Sequence, residues 1–346
     1  MNICYFTCSI KYGGLEKVTV DISNSISLHN NVIVLVPNGC QYKDKFSQNI
    51  TLIEYKSLDR RLNPFLYLEI YFILKKYKID LVHTHASKAT QIFYYLNKFM
   101  KLIHIATKHN ARKGKIFNKI KYVTAVSNDA AKSIKNDNVK IIYNGIQVLK
   151  IEEKRYTNEI FTITAIGRLD KIKGFDILIK EFSKVKNCAI LQIVGEGEEY
   201  NNLNSLIKEL SLENKVSLLG FRKDIPEIIN SSDLVVMPSL SEGFSIVMIE
   251  SIFYAKVFIS TKVSGCKDIL TSKLLIEDFN IALKIDEVIN NYEEYTNEFS
   301  QIRDKYKDKF TLESISKEYY SYYLNILYII NSIYCQKPIK IGKYII

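Results

Sequence analysis

Short β-branched and apolar runs, each stopped by glycine, proline or a polar loop, recur along this chain, and most are followed by apolar residues at helical spacing. In the first half these runs are Asn2 to Cys8, Val32 to Val36, Asp80 to His85, Ile103 to Thr107, Ala125 to Ser127 and Lys140 to Tyr143. In the second half they are Phe161 to Ile166, Ala189 to Val194, Lys215 to Leu219, Asp233 to Met237 and Lys256 to Thr261. Between them, Leu15, Val18, Ile22 and Ile26 mark one helix face, Phe65 to Lys76 a long helix and Phe244 to Ile252 another. This alternation predicts two α/β halves. The polar and charged segment Gln147 to Glu159 separates them as a linker, and a tyrosine-rich helix from Ser314 to Ile333 follows.

A length of 346 residues fits two domains of ordinary size. Hydrophobic residues at 47% and charged residues at 25% are those of a folded soluble protein. No run of eighteen apolar residues occurs, and Met1 leads straight into a strand, so the expected location is the cytoplasm. The six cysteines, Cys4, Cys8, Cys40, Cys188, Cys266 and Cys335, lack CxxC spacing and read as buried, reduced thiols.

The net charge of +11 and pI near 9.1 call for an anionic partner: a membrane surface, a nucleic acid or a phosphorylated substrate. Nine basic residues and no acidic one lie between Leu81 and Asn128: Lys88, Lys98, Lys101, Lys108, Arg112, Lys113, Lys115, Lys119 and Lys121. Phe93, Tyr94, Tyr95, Phe99, Met100, Ile116 and Phe117 are interleaved with them. That suits a surface lying on anionic lipid, at about 1 kcal/mol per basic residue, or equally a solvated basic face. No helix-turn-helix, RNA-binding or zinc pattern accompanies the charge, which argues against nucleic acid.

The candidate chemistry sits where strands run into loops. After Met237, Pro238 stops the strand, Glu242 stands in the loop and Glu250 lies a turn into the next helix. The free N–H groups of a helix start favour an anion, and two carboxylates accept hydrogen bonds from vicinal hydroxyls, so phosphate plus sugar is the matching ligand. Solvation of a loop and a helix face is the competing account of both glutamates. Gly13 and Gly14 allow backbone to approach a ligand, or simply make a turn. Gly167, Arg168, Lys173 and Gly174 are suited to gripping a pyrophosphate, each charged hydrogen bond contributing about 1.5–3 kcal/mol, or form an ordinary charged loop. His83 and His85 share one strand face, and His109 and Asn110 enter the loop after Thr107. Gly195, Glu196 and Gly197 fail the GxGxxG pattern at Tyr200, which disfavours a dinucleotide dehydrogenase.

Taken together, GGLE at Gly13, HTH at His83, TKHN ending past His109, AVS at Ala125, YNGI at Tyr143, GRLDKIKG at Gly167, GEG at Gly195 and EGFSIVMIE at Glu242 resemble the retaining GT-B glycosyltransferases of the family 4, or group 1, type. The resemblance covers nearly the whole chain. It implies two Rossmann-like domains facing across a cleft: an acceptor-binding domain over 1–150, a nucleotide-sugar domain over 151–313, and a C-terminal helix, about 314–346, crossing back to the first. It also implies transfer of a hexose-type sugar, most commonly from a UDP-sugar, with a saccharide or glycolipid as acceptor.

Carried over by motif, Arg168 and Lys173 neutralise the donor diphosphate, Glu250 takes the ribose hydroxyls, Glu242 contacts the transferred sugar, and His109 sits near the reacting carbon. Gly13, Gly14, Gly167, Gly243, Phe244 and Ser245 complete the donor contacts. Charge builds on the departing diphosphate, so fixed cations there lower the barrier. No Asp-x-Asp occurs, so no metal or other cofactor is expected. One departure stands out: after Thr261 the family has a glycine-rich loop ending in glutamate, and here VSGCKD ends in the shorter Asp268, which puts the far rim of the donor pocket over 262–285 in question. The resulting expectation is a cytoplasmic enzyme, peripheral on anionic membrane, extending a lipid-linked or lipopolysaccharide-type saccharide. A soluble sugar-phosphate or polyglucan synthase and a nucleotide-sugar-binding protein without catalysis are the alternatives.

Overall fold

Among the described residues every strand that pairs within a sheet does so in parallel, so each sheet has one edge where all its strands end. The computed structural model describes residues 1–112, 114–151 and 160–334. The first sheet contains β1 (Asn2–Phe6), β2 (Asn31–Pro37), β3 (Ile50–Tyr55), β4 (Leu81–His85), β5 (Ile103–Lys108), β6 (Tyr122–Ala125) and β7 (Val139–Ile141), ordered β3-β2-β1-β4-β5-β6-β7. Its helices are α1 (Gly14–Ile26), α2 (Pro64–Lys76), α3 (Ala86–Met100) and α4 (Asn128–Lys132).

The second sheet contains β8 (Phe161–Ile166), β9 (Ala189–Val194), β10 (Val216–Gly220), β11 (Leu234–Met237), β12 (Phe258–Thr261) and β13 (Leu275–Ile276), ordered β10-β9-β8-β11-β12-β13. Around it run α5 (Phe175–Phe182), α6 (Tyr200–Glu209), α7 (Ile225–Ser231), α8 (Ile246–Tyr254), α9 (Cys266–Ile269), α10 (Ile281–Asn290) and α11 (Tyr292–Tyr306), and the chain ends its described part in α12 (Leu312–Tyr334). In both sheets the strand order reverses beside the first strand, between β1 and β4 and between β8 and β11. Ligand crevices form at such points because the flanking helices leave on opposite faces.

The central strands are buried on both faces, as near-continuous apolar runs require in a parallel sheet. The last helix belongs to the first core: Ile315, Tyr319, Tyr323 and Ile326 of α12 pack with Ile3, Tyr5 and Val34. The Tyr323 hydroxyl lies 3.0 Å from that of Tyr5 and 2.7 Å from His83 Nδ1. The expected crossing back is thus made by Leu312–Tyr334, and 335–346 lie outside the described residues. Most of the expected linker also does, at 152–159.

Several expectations change. The sixth strand ends at Ala125, not Ser127, because Ser127 caps α4 by accepting from Ala130 N at 3.3 Å. Cys4, Cys40 and Cys266 are buried thiols, Cys8 is half-buried and Cys188 is exposed; Cys335 is outside the described residues. The basic stretch from 81 to 128 is not one face. Lys108 is buried and bonds Ser133 Oγ at 2.6 Å, Lys88 pairs with Asp59 at 2.6 Å, and Phe93 and Phe117 are core residues, while Lys113 lies outside the described residues.

The two halves touch directly. Ser127 Oγ meets Ser264 Oγ at 2.8 Å, Asn128 N donates to Asp268 Oδ2 at 2.8 Å, and Lys267 pairs with Asp129 at 2.8 Å. The divergent VSGCKD segment therefore grips the start of α4 across the cleft. Asp268 is short enough to sit against a backbone N–H at a helix N-terminus, where a carboxylate is favoured.

Candidate active site

One cavity of about 720 Å³ opens between the halves, walled by loops that leave β1, β5, β8, β9, β10 and β11. Two helices of different halves begin at this wall. Gly13 caps α1 with no side-chain bond, and the first intrahelical bond is Lys17 N to Gly13 O. Ser245 caps α8, accepting from Met248 N at 3.3 Å. The early N–H groups of both helices thus face a common space, and each helix start favours an anion by about 0.3–1 kcal/mol.

Gly13, Gly14, His109, Gly167, Arg168, Lys173, Glu242, Gly243, Phe244 and Ser245 all line the cavity. Glu250 does not; it lies one turn behind Ile246 and Val247 on α8, near Lys17 and Asp21 of α1. Burial holds its carboxyl up at about 7, with Lys17 lowering and Asp21 raising the value.

Several charged groups of the cavity wall are paired. Lys173 Nζ contacts Glu242 Oε1 at 2.5 Å, and Ser239 Oγ donates to the same oxygen at 3.0 Å. Arg168, largely exposed, binds Asp170 Oδ2 through Nε and Nη2, both at 2.7 Å. Such pairs hold the cations in place and can exchange one carboxylate partner for a phosphate oxygen, leaving the carboxylate for a hydroxyl.

Glycines here are fixed by close approach. A Cβ on Gly243 would lie 1.7 Å from His109 O in the other half, and one on Gly195, at φ +141°, would lie 1.9 Å from Gly167 O.

His109 is held from behind. Its Nε2 lies 3.0 Å from His85 Nδ1, and Ala86, directly after His85, takes φ +63°, a region non-glycine residues seldom occupy. His85 Nε2 is buried without a partner. His83 bonds Tyr323 and, through Nε2 at 2.6 Å, Thr107 Oγ1. Burial lowers both strand histidines well below 6.5 and His109 to about 4, so all three are neutral at pH 7. His83 and His85 do not line the cavity; they position its wall.

Sequence reasoning missed Arg112, Arg222 and Asn144, all in the wall. Arg222 is bidentate with Asp224 at 2.5 and 2.8 Å. Asn144 donates to Phe244 O at 2.9 Å and leaves Oδ1 buried without a partner. Asn144 sat in the quoted YNGI motif; the arginines carry no pattern beyond a charge in a loop. No residue of 262–285 lines the cavity; the divergent segment contributes contacts to the other half instead. Among the described residues no group of three or more His, Cys, Asp or Glu is placed to hold a metal ion.

The family model for glycosyl transferases group 1 matches residues 149–305, and that for glycosyltransferase family 4 matches residues 12–148. The chain is 31% identical over 183 residues to the N-acetylgalactosamine-N,N'-diacetylbacillosaminyl-diphospho-undecaprenol 4-alpha-N-acetylgalactosaminyltransferase of Campylobacter jejuni, a match covering 51% of this chain and about half, 49%, of that protein. It is 23% identical to the N-acetyl-alpha-D-glucosaminyl L-malate synthase of Bacillus anthracis, over 93% of this chain and 96% of that one. The crystal structure of Anabaena HepE in complex with UDP-glucose superposes with a TM-score of 0.83 at 21% identity, covering 94% of this chain and all of HepE. The chain is a GT-B glycosyltransferase and belongs to the group 1 and family 4 glycosyltransferases.

Proposed function

We propose that this enzyme moves a hexose-type sugar from a UDP-sugar to a lipid-linked or lipopolysaccharide-type saccharide, with retention and without a metal ion. The observation that carries this is the pair of helix N-termini, from opposite halves, opening onto one cavity that also holds Arg168, Lys173 and Arg222. A diphosphate placed there meets dipoles and cations already in position, the arrangement that stabilises charge developing on a leaving group. Glu16 and Glu242 beside them supply acceptors for sugar hydroxyls. The diphospho-undecaprenol in the name of the Campylobacter relative, and the UDP-glucose bound by HepE, support the acceptor and donor classes.

In this reading the bond from the anomeric carbon to the diphosphate oxygen breaks while the acceptor hydroxyl attacks from the same face. The acceptor proton passes to the departing phosphate. His109, neutral, contributes a hydrogen bond rather than a proton. Calorimetry with UDP, GDP and ADP in EDTA tests the donor site: binding of UDP with preference over the others, weakened in Arg168→Ala, is the expected result, and a requirement for divalent metal overturns that part. NMR of the product reads the anomeric outcome.

The full-length match to a malate-using synthase favours a second reading, transfer to a small soluble acceptor. Turnover on such an acceptor in the absence of any lipid-linked saccharide would establish it.

A further inference from the structure

Helix α2 is apolar on two opposite sides. Leu66, Ile70 and Leu74 pack into the first core, while Phe65, Leu68 and Phe72, at positions i, i+3 and i+7, are 72%, 55% and 65% exposed. A surface helix ordinarily turns charged and polar residues outward on that side. The loop between β3 and α2 extends the patch with Leu58 and Leu62, and the outer face of the neighbouring α3 with Phe99, 83% exposed.

Basic residues border the patch: Arg60 and Arg61 in the loop, Lys75 and Lys76 at the end of α2, Lys98 and Lys101 at the end of α3, all exposed. The two acidic residues within these segments are engaged elsewhere. Asp59 pairs with Lys88 at 2.6 Å, and Glu69 accepts from Lys56 N and Ser57 N at 2.7 and 2.8 Å. Large apolar side chains ringed by uncompensated positive charge are the complement of an anionic bilayer, whose boundary takes the first while its headgroups attract the second.

Position adds to this. The 58–62 loop leaves the carboxyl end of β3, and the cavity lies at the carboxyl ends of β1 and β5 in the same parallel sheet. The 58–62 loop and the start of α2 with Phe65 therefore lie at the cavity's edge of the sheet, and the rest of the patch runs from there along α2 and α3 toward the opposite edge.

We propose that the outer sides of α2 and α3, with the 58–62 loop, dock this protein on an anionic lipid bilayer, with Phe65, Leu68 and Phe72 entering the headgroup boundary. This rests on the lipid-linked acceptor proposed above, which the docked protein would meet at the cavity edge. It relocates the membrane surface from the 81–128 stretch as a whole to α2 and one face of α3.

The test is flotation of the full chain with phosphatidylcholine vesicles, with and without phosphatidylglycerol, at low and high salt. The protein floats with the anionic vesicles; Phe65→Gln with Phe72→Gln lowers the bound fraction roughly tenfold. Phe65→Leu with Phe72→Leu, which keeps the apolar surface, restores it, and Arg60→Ala with Arg61→Ala loses the preference for anionic lipid. Equal flotation of the glutamine variant overturns the proposal, as does a wild-type protein that never floats. Dimeric elution of wild type with monomeric elution of the glutamine variant also overturns it and assigns the face to a second copy of the chain. UDP calorimetry on the same samples separates the two readings: UDP binding without flotation removes the docking surface alone, and flotation without UDP binding removes the donor site alone.

Discussion

Ionised, Glu250 accepts hydrogen bonds from a diol; protonated, it cannot accept them as strongly, and burial places this change near pH 7. The sign of its effect on stability follows from the raised value. The fold tolerates the protonated acid, so the contribution is fully present below the ordinary 4.5 and is lost as pH rises through about 7. Glu250→Gln should therefore match wild type in melting temperature near pH 4.5 and exceed it increasingly toward pH 8. If the ribose hydroxyls reach this carboxylate, UDP affinity of the wild type also rises from pH 6 to 8 while that of Glu250→Gln stays flat. His109 gives the opposite expectation: with its value near 4, kcat should show no imidazole limb around pH 6.5, and a limb that vanished in His109→Ala would overturn its neutral role. Losing the charged contact proposed between Arg168 and the donor diphosphate, in Arg168→Ala, should lower kcat/KM roughly 10- to 150-fold, from about 1.5–3 kcal/mol of transition-state binding.

Among the elements, α12 is tied to the first sheet by polar as well as apolar groups. Tyr323→Phe removes the hydroxyl that Tyr5 and His83 share, and denaturant titration should show a loss of about 1–3 kcal/mol, since the stranded partners are fully buried. The strands β8 and β9 and helix α2 were legible in the sequence almost to the residue, because each is an uninterrupted apolar run or period between clear stops. Strand β3 was not: its β-branched residues favour a strand, but it lies at the sheet edge with Thr51 exposed and its middle only half-buried, so its sequence lacks the long apolar run of the central strands. The start of α8 moved from Phe244 to Ile246 because Phe244 turns inward onto Tyr143, at 4.7 Å between rings, before the helix begins. The cavity residues were legible where a motif names them. Glu250's retreat behind the wall, and the entry of Arg112 and Arg222, depend on how two halves close, and no single segment encodes that.

At the scale of the whole molecule, closure is written into Gly243. An alanine there would press its methyl on His109 O of the other half, so Gly243→Ala should enlarge the radius of gyration in small-angle scattering. It should also lower kcat/KM on the order of a hundredfold, the cost of a catalytic group displaced by an ångström. Weakening the clasp instead, in Asp268→Ala, frees Asn128 N and should raise KM for the donor with a smaller effect on folding. The placement of α12 reaches further, to the order in which the protein is made. The sheet of residues 2–141 is synthesised before the second half, but the side chains that complete its core, Ile315, Tyr319, Tyr323 and Ile326, are synthesised after that half. The second half, contiguous from Phe161 to Tyr306, can finish folding during synthesis, while the first emerges earlier and must wait, with Tyr5 and His83 lacking the Tyr323 hydroxyl, until α12 has followed the whole second half.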